Sequence, residues 1–128
     1  MIYGLLKESK QNVSFENIEN EELILETLQE VVKGEVEYIP LKNICSKLPK
    51  ALQYVCLVVN DEGKSSKNCR PNLLFEGDMI VGNVAFVGIQ KNRKKIKTIS
   101  LTTEQIELLP SVIDDYIISE SLKEAFGV

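Results

Sequence analysis

Apolar and polar positions along this 128-residue chain alternate with a period of two in some segments and with a helical period in others. Runs rich in Val, Ile and Leu that end in polar or glycine-containing turns are typical of β-strands. Residues 8–20 are mostly polar and predict a loop. Val13, Phe15 and Ile18 within it fit either a further strand pair or packing contacts. The predicted strands cover residues 2–7, 35–40, 53–60, 79–90 and 96–100.

Helical spacing of apolar residues predicts a helix over residues 21–33. Asn20 precedes this segment and can cap it, while Gly34 follows it and can end it. An apolar sheet face needs a covering layer, so we expect this helix to pack on the predicted strands.

Two more helices are predicted near the C-terminus. Thr102 and Gln105 have the spacing of a capping box, and Ser111, after Pro110, can cap a last helix over residues 111–126. Together these elements predict the α+β class: a mixed, mostly antiparallel sheet of about five strands, covered by helices, with a C-terminal helical extension. The length fits one core, so residues 1–128 are expected to form a single domain.

Several classes of chemistry are disfavoured by what the chain lacks. It contains no histidine, which removes the commonest general base and zinc ligand, and its three cysteines fit no zinc or disulfide pattern. We therefore expect no catalytic residues, no metal, no cofactor and no enzyme activity. No apolar run is long enough to span a bilayer and no signal-peptide pattern is visible, so a cytoplasmic protein without membrane contact is expected.

Charge is distributed unevenly along the chain. Residues 1–41 carry nine acids and three lysines, residues 42–100 carry eleven basic residues and four acids, and residues 101–128 carry six acids and one lysine. The balances of −6, +7 and −5 add to the net charge of −4. A basic centre between acidic segments predicts an anionic ligand, although strand-connecting loops often carry solvated lysines as well.

The polar loop between the two most apolar runs is the candidate binding site. Its donors suit phosphate or carboxylate, but it lacks the glycine and lysine spacing of a P-loop. Nucleic acid is disfavoured as a partner by the acidic pI of 5.0 and by the absence of aromatic residues among the lysines. The predicted ligand contacts are Asn60, Lys64, Lys67, Arg70 and Asn72, joined by Arg93 and Lys94 if the next hairpin folds over the same face.

Five short motifs occur in order along the chain: EVEYIPL (35–41), VCLVVNDEGK (55–64), RPN (70–72), DMIVGNVAFVG (78–88) and ISLTTEQIELL (99–109). Together they resemble a family of small uncharacterised domains that is common in bacteriophages, plasmids and Firmicute mobile elements. The resemblance covers roughly residues 28–110, and the chain departs from the family in the longer loop SSKNCR and in the segment after Pro110. The resemblance implies an accessory protein of a mobile element and supplies no catalytic residues.

Three functions follow as hypotheses from this resemblance and from the charge pattern. The first is an anti-defence protein in the host cytoplasm that sequesters a nucleotide-derived immune signal, such as a cyclic nucleotide or an ADP-ribose derivative, without cleaving it. Such proteins are commonly homo-oligomers. The second is a protein-binding or DNA-mimicking inhibitor of a restriction- or CRISPR-type complex. The third is a small enzyme or regulator of the element's own metabolism.

Overall fold

A computed structural model describes residues 1–65, 69–92 and 95–126 of the chain. Eight strands and three helices lie within these residues, together with short 3-10 turns. The strands are β1 (Ile2–Leu6), β2 (Ser14–Asn17), β3 (Val36–Pro40), β4 (Val55–Asn60), β5 (Pro71–Phe75), β6 (Asp78–Val81), β7 (Val84–Asn92) and β8 (Lys95–Ile99). The helices are α1 (Ile24–Val32), α2 (Thr103–Asp114) and α3 (Glu120–Phe126).

Six strands form one antiparallel sheet. Its order is β2-β1-β7-β4-β3, and β8 pairs with the C-terminal part of β7. Phe86 in the central strand β7 lies opposite Gly4 on one side and Leu57 on the other. The predicted α+β class with a mostly antiparallel sheet is confirmed, and the segment around Phe15 does form an additional strand, β2.

The central strands β4 and β7 are buried on both faces, which is why their sequences are almost continuously apolar. One face packs against α1 through Leu28 and Val32, as predicted for a helix in this segment. The opposite face, which includes Leu57 and Phe86, packs against α2 and a second, two-stranded sheet formed by β5 and β6.

The strand predicted over residues 79–90 is wrong, because the chain changes sheets within it. β6 pairs with β5, and β7 enters the main sheet only after Gly82 and Asn83. Gly82 has a φ of +84°, a conformation that residues with a side chain rarely adopt, and its N–H donates to the carbonyl of Arg70. Apolar residues on both sides of Gly82 and Asn83 hid this turn, and β5 was not predicted at all.

The helix predicted over residues 111–126 is also wrong. The capping box at Thr102 and Gln105 is present, but α2 continues through Pro110 to Asp114, and the Ser111 hydroxyl donates to a carbonyl within that helix instead of capping a new one. Residues 115–119 then leave the helix and lie beside β5, where the Ile118 N–H donates to Asn72 O. Among the described helices, none is long and apolar enough to cross a bilayer.

Candidate functional site

A groove opens between the edge of the main sheet and the small sheet that covers one of its faces. It encloses about 510 Å³. Its walls form because β4 ends at Asn60 in a tight turn, while the β5–β6 hairpin places β6 across from β3. We call it the acidic groove. Its lining residues are Glu37, Ile39, Val59, Asn60, Asp61, Glu62, Gly63, Lys64, Ser65, Asp78, Met79, Ile80 and Val81.

The floor of the acidic groove is apolar and its rim is negatively charged. Ile39 and Val59 from the main sheet and Ile80 from β6 are buried or half-buried. Among the described residues that line the groove there are four carboxylates and one ammonium group. Because carboxylates outnumber cations, the potential in this groove favours a positively charged ligand.

Lys64, a predicted ligand contact, forms an ion pair across this groove. Its Nζ lies 3.0 Å from Asp78 Oδ1, and the two side chains are 67% and 38% exposed. Exposed pairs of this kind contribute about 0–1 kcal/mol, so the contact is easily exchanged. Its effect on the site is electrostatic: it neutralises Asp78, so that Glu37, Asp61 and Glu62 supply the net negative charge among the described lining residues.

Asn60, the second predicted contact in the groove, is used to connect two elements. Its Nδ2 donates to Val32 O at 2.9 Å and to Lys33 O at 3.3 Å, at the C-terminal end of α1. Its Oδ1 accepts from Glu62 N at 2.8 Å, which closes the turn after β4. The side chain therefore stabilises the groove wall, with both polar atoms already hydrogen-bonded.

Asn72 lies in the interior of the protein. Its side chain is fully buried, and its Nδ2 donates to Leu6 O at 3.0 Å and to Gly82 O at 2.9 Å. Its Oδ1 accepts from the Lys123 ammonium at 2.9 Å. The structure therefore places Asn72 where it joins β1, the turn before β7 and α3, with no face towards solvent.

Arg70 is exposed, and its backbone is held beside the acidic residue Glu8. The Arg70 N–H donates to Glu8 Oε2 at 2.8 Å, and its carbonyl accepts from Gly82. Lys67, the other predicted cation of this loop, lies outside the described residues, as do Arg93 and Lys94.

The described residues beside the two groups of predicted contacts lie near opposite ends of β7. Arg70 bonds to Gly82, just before the strand begins, whereas Asn92 and Lys95, which flank residues 93–94, lie at its other end. Nine residues of strand span roughly 26–30 Å. The structure thus does not bring the flanks of this hairpin onto the face of the loop.

The three cysteines differ in burial: Cys45 and Cys56 are buried, and Cys69 is partly exposed. All three are free thiols, and burial raises the pKa of Cys56 to about 11. Cys45 Sγ lies 3.4 Å from the Tyr116 hydroxyl, and this hydrogen bond, with burial, raises the pKa of Tyr116 to about 12. The Cys56 thiol and the Tyr116 hydroxyl therefore stay protonated near neutral pH. Within residues 1–65, 69–92 and 95–126, no set of three or more acidic, Cys or His side chains is arranged to hold a metal.

Glu37, Ile39, Asp78 and Met79 line the groove but were not among the predicted site residues. The pattern EVEYIP did contain a signal, because alternation puts Glu37 and Ile39 on the same face of a strand. It did not show that β6 would face them, since that contact depends on the turn at Gly82.

A family model described as "Domain of unknown function (DUF3846)" matches residues 2–116 of the chain. The match is wider than the segment of about 28–110 that carries the sequence resemblance. No curated protein and no solved structure matches the chain.

Proposed function

The chain belongs to the DUF3846 family, whose function is unknown, and from this premise we propose that it is a non-catalytic protein that binds a basic, extended segment of a partner protein in the acidic groove. The observation that carries the proposal is an apolar floor beneath a rim with an excess of carboxylates. A peptide with alternating apolar and basic side chains matches both features.

The position of β3 supports an extended partner. β3 is the last strand in the order of the main sheet and pairs with β4 alone among the described strands. An edge strand offers backbone N–H and C=O groups to a further strand, and side-chain pockets then add specificity. Glu37 and Ile39 from this strand line the groove, so an added strand would reach the groove with its side chains.

The size of the groove is consistent with a few side chains of a partner. Binding clefts commonly enclose about 300–1,000 Å³, and this groove falls within that range at about 510 Å³. The carboxylates work against a nucleotide here, since a dianionic phosphate near Glu37, Asp61 and Glu62 would meet like charge. We therefore favour the protein-binding hypothesis over sequestration of a nucleotide signal.

In the mobile-element setting that the sequence resemblance implies, the partner would be a component of a host defence complex. Occupying an exposed strand edge or a basic loop of that component would block its assembly. This mode of action needs no cofactor and no catalytic group, in keeping with the absence of histidine from the chain.

The proposal is tested by titrating the protein with a panel of synthetic peptides and nucleotides, followed by NMR. Extended Lys/Val peptides should shift resonances of β3 and β6, while Glu/Val peptides, cyclic dinucleotides and ADP-ribose should not. Glu37→Ala with Glu62→Ala should weaken peptide binding about tenfold or more, as expected for two lost charge-assisted contacts.

The matched control is Glu104→Ala with Glu107→Ala, which removes the same charge from exposed positions on α2. This control should bind the basic peptide like the parent protein. If both double variants lose peptide affinity equally, the effect comes from the net charge of the protein, and binding in the acidic groove is contradicted. Tight binding of a cyclic dinucleotide would instead favour the sequestration hypothesis.

A further inference from the structure

The hairpin of β7 and β8 extends beyond the main sheet. β7 pairs with β1 and β4 through residues 84–88, but residues 89–92 pair only with β8 among the described strands. We call this two-stranded extension, residues 89–92 and 95–98, the basic ribbon. It is remote from the acidic groove, which lies near the other end of β7.

The two faces of the basic ribbon differ in chemistry. Gln90 lies opposite Lys97 and Asn92 opposite Lys95, and paired residues of a sheet point to the same side. One face therefore carries two amides and two ammonium groups, all of them on exposed residues. The other face carries Ile89, Thr98, Lys91 and Ile96.

The positive charge of the basic ribbon is not balanced by acidic residues in the same segment of the chain. No acidic residue occurs between Asp78 and Glu104. Within the described residues, the single ion pair is that of Lys64 with Asp78, far from this hairpin. Glu21 lines a cleft together with Lys97. Lys91 and Lys95, further along the ribbon, are exposed.

The acidic pI does not oppose an anionic partner at this position. Charges in water are screened over about 8 Å at physiological ionic strength, whereas the acidic groove is separated from the tip of the ribbon by roughly the length of β7, about 26 Å or more. The acidic pI of the whole chain is therefore no argument against a nucleic-acid partner at the ribbon.

From this geometry we infer that the basic ribbon binds double-stranded DNA through its face of Gln90, Asn92, Lys95 and Lys97. The major groove of B-form DNA, about 12 Å wide, admits a two-stranded β-ribbon. Lysine contacts phosphates and guanine, and the amides of Gln and Asn match the adenine edge. A-form RNA has a deep, narrow major groove that such a ribbon cannot enter, so duplex RNA should bind weakly.

The test is fluorescence anisotropy with a labelled 20-base-pair DNA duplex over a range of salt concentrations. Two phosphates neutralised by Lys95 and Lys97 give a slope of log K against log salt of about −1.8 or steeper. Lys95→Ala with Lys97→Ala should reduce that slope by about 1.8 and weaken binding at 0.1 M salt by roughly 60-fold. Circular dichroism checks that the variant is folded.

Matched variants separate the ribbon from general electrostatics and from the acidic groove. Lys7→Ala with Lys10→Ala removes the same charge from exposed positions at the other end of the sheet, and it should leave the affinity for DNA near that of the parent. Gln90→Ala with Asn92→Ala should keep the salt slope but lose preference between duplex sequences. Glu37→Ala with Glu62→Ala should not weaken DNA binding.

The inference is overturned if the parent binds no duplex DNA, if Lys95→Ala with Lys97→Ala binds with the parent's salt slope, or if duplex RNA binds as tightly as DNA. None of these results bears on peptide binding in the acidic groove, so the two proposals succeed or fail separately.

Discussion

At the scale of single residues, two asparagines at the ends of the central loop have the same structural role in different surroundings. Asn60 lies at the surface of the groove and Asn72 is fully buried, yet both have every polar side-chain atom hydrogen-bonded to the protein. A buried amide with three partners of this kind specifies how segments meet, because each partner would otherwise lose its hydrogen bond.

Replacing Asn72 with Ala should destabilise the protein by about 3 kcal/mol, because buried partners left without a hydrogen bond cost about 1–3 kcal/mol each. Leu6 O, Gly82 O and the Lys123 ammonium would all lose a contact. Urea denaturation measures the effect. Asn43→Ala, at an exposed position, is the control and should change stability by less than about 0.5 kcal/mol. An equally small effect at Asn72 would contradict its structural role.

The Cys56 thiol makes the free energy of unfolding depend on pH in the alkaline range. Its pKa is raised from 9.0 to about 11 by burial, so the folded protein holds the proton while the unfolded chain releases it. The stabilisation is complete below pH 9 and is lost as the pH rises towards 11. Cys56→Ala should flatten this part of the stability curve, measured by urea unfolding between pH 8 and pH 11.

At the scale of elements, α3 contacts the rest of the domain through a buried ammonium group. Lys123 is 2% exposed, and its Nζ donates to Lys10 O and to Asn72 Oδ1, both at 2.9 Å. Burial lowers the pKa of this lysine, against the raising effects of Glu120 and Glu8. Since a seven-residue helix is not stable in isolation, α3 depends on this docking contact.

Lys123→Ala should therefore release α3 while the main sheet stays folded. We expect amide hydrogen exchange in residues 120–126 to become about tenfold faster or more, and exchange in β4 and β7 to change much less. Glu124→Ala, at an exposed position of the same helix, is the control and should leave the protection of α3 in place. Unchanged exchange in the Lys123 variant would show that apolar contacts alone hold the helix.

At the scale of the whole molecule, the charges that the sequence places in blocks are separated in space. The acidic groove lies near the N-terminal end of β7, where β4 turns back, and the basic ribbon lies at its C-terminal end. A count of charges by segment suggested one basic centre with one anionic ligand. The fold instead presents two surfaces of opposite sign, which is the reason for proposing two kinds of partner.

Much of the fold could be predicted from periodicity. The paired apolar runs of β4 and β7, the alternation in β3 and the helix α1 all follow from local patterns, because each buries its apolar side chains in the main sheet or against it. The candidate site was harder to predict. Lys64 does line the groove, but the direction of β7 separates the hairpin from the loop, and no local pattern encodes that direction.

The sequence by itself determined the class of fold, the capping box of α2 and the unequal distribution of charge, since each of these depends on neighbours along the chain. Only the tertiary structure decided that Gly82 turns the chain from one sheet to the other, that α2 continues through Pro110, and that Asn72 is buried. These features depend on which distant segments supply hydrogen bonds and packing: Arg70 O for the turn, and the Lys123 ammonium for the buried amide. A hydrogen bond between residues 51 positions apart leaves no periodic trace in the sequence.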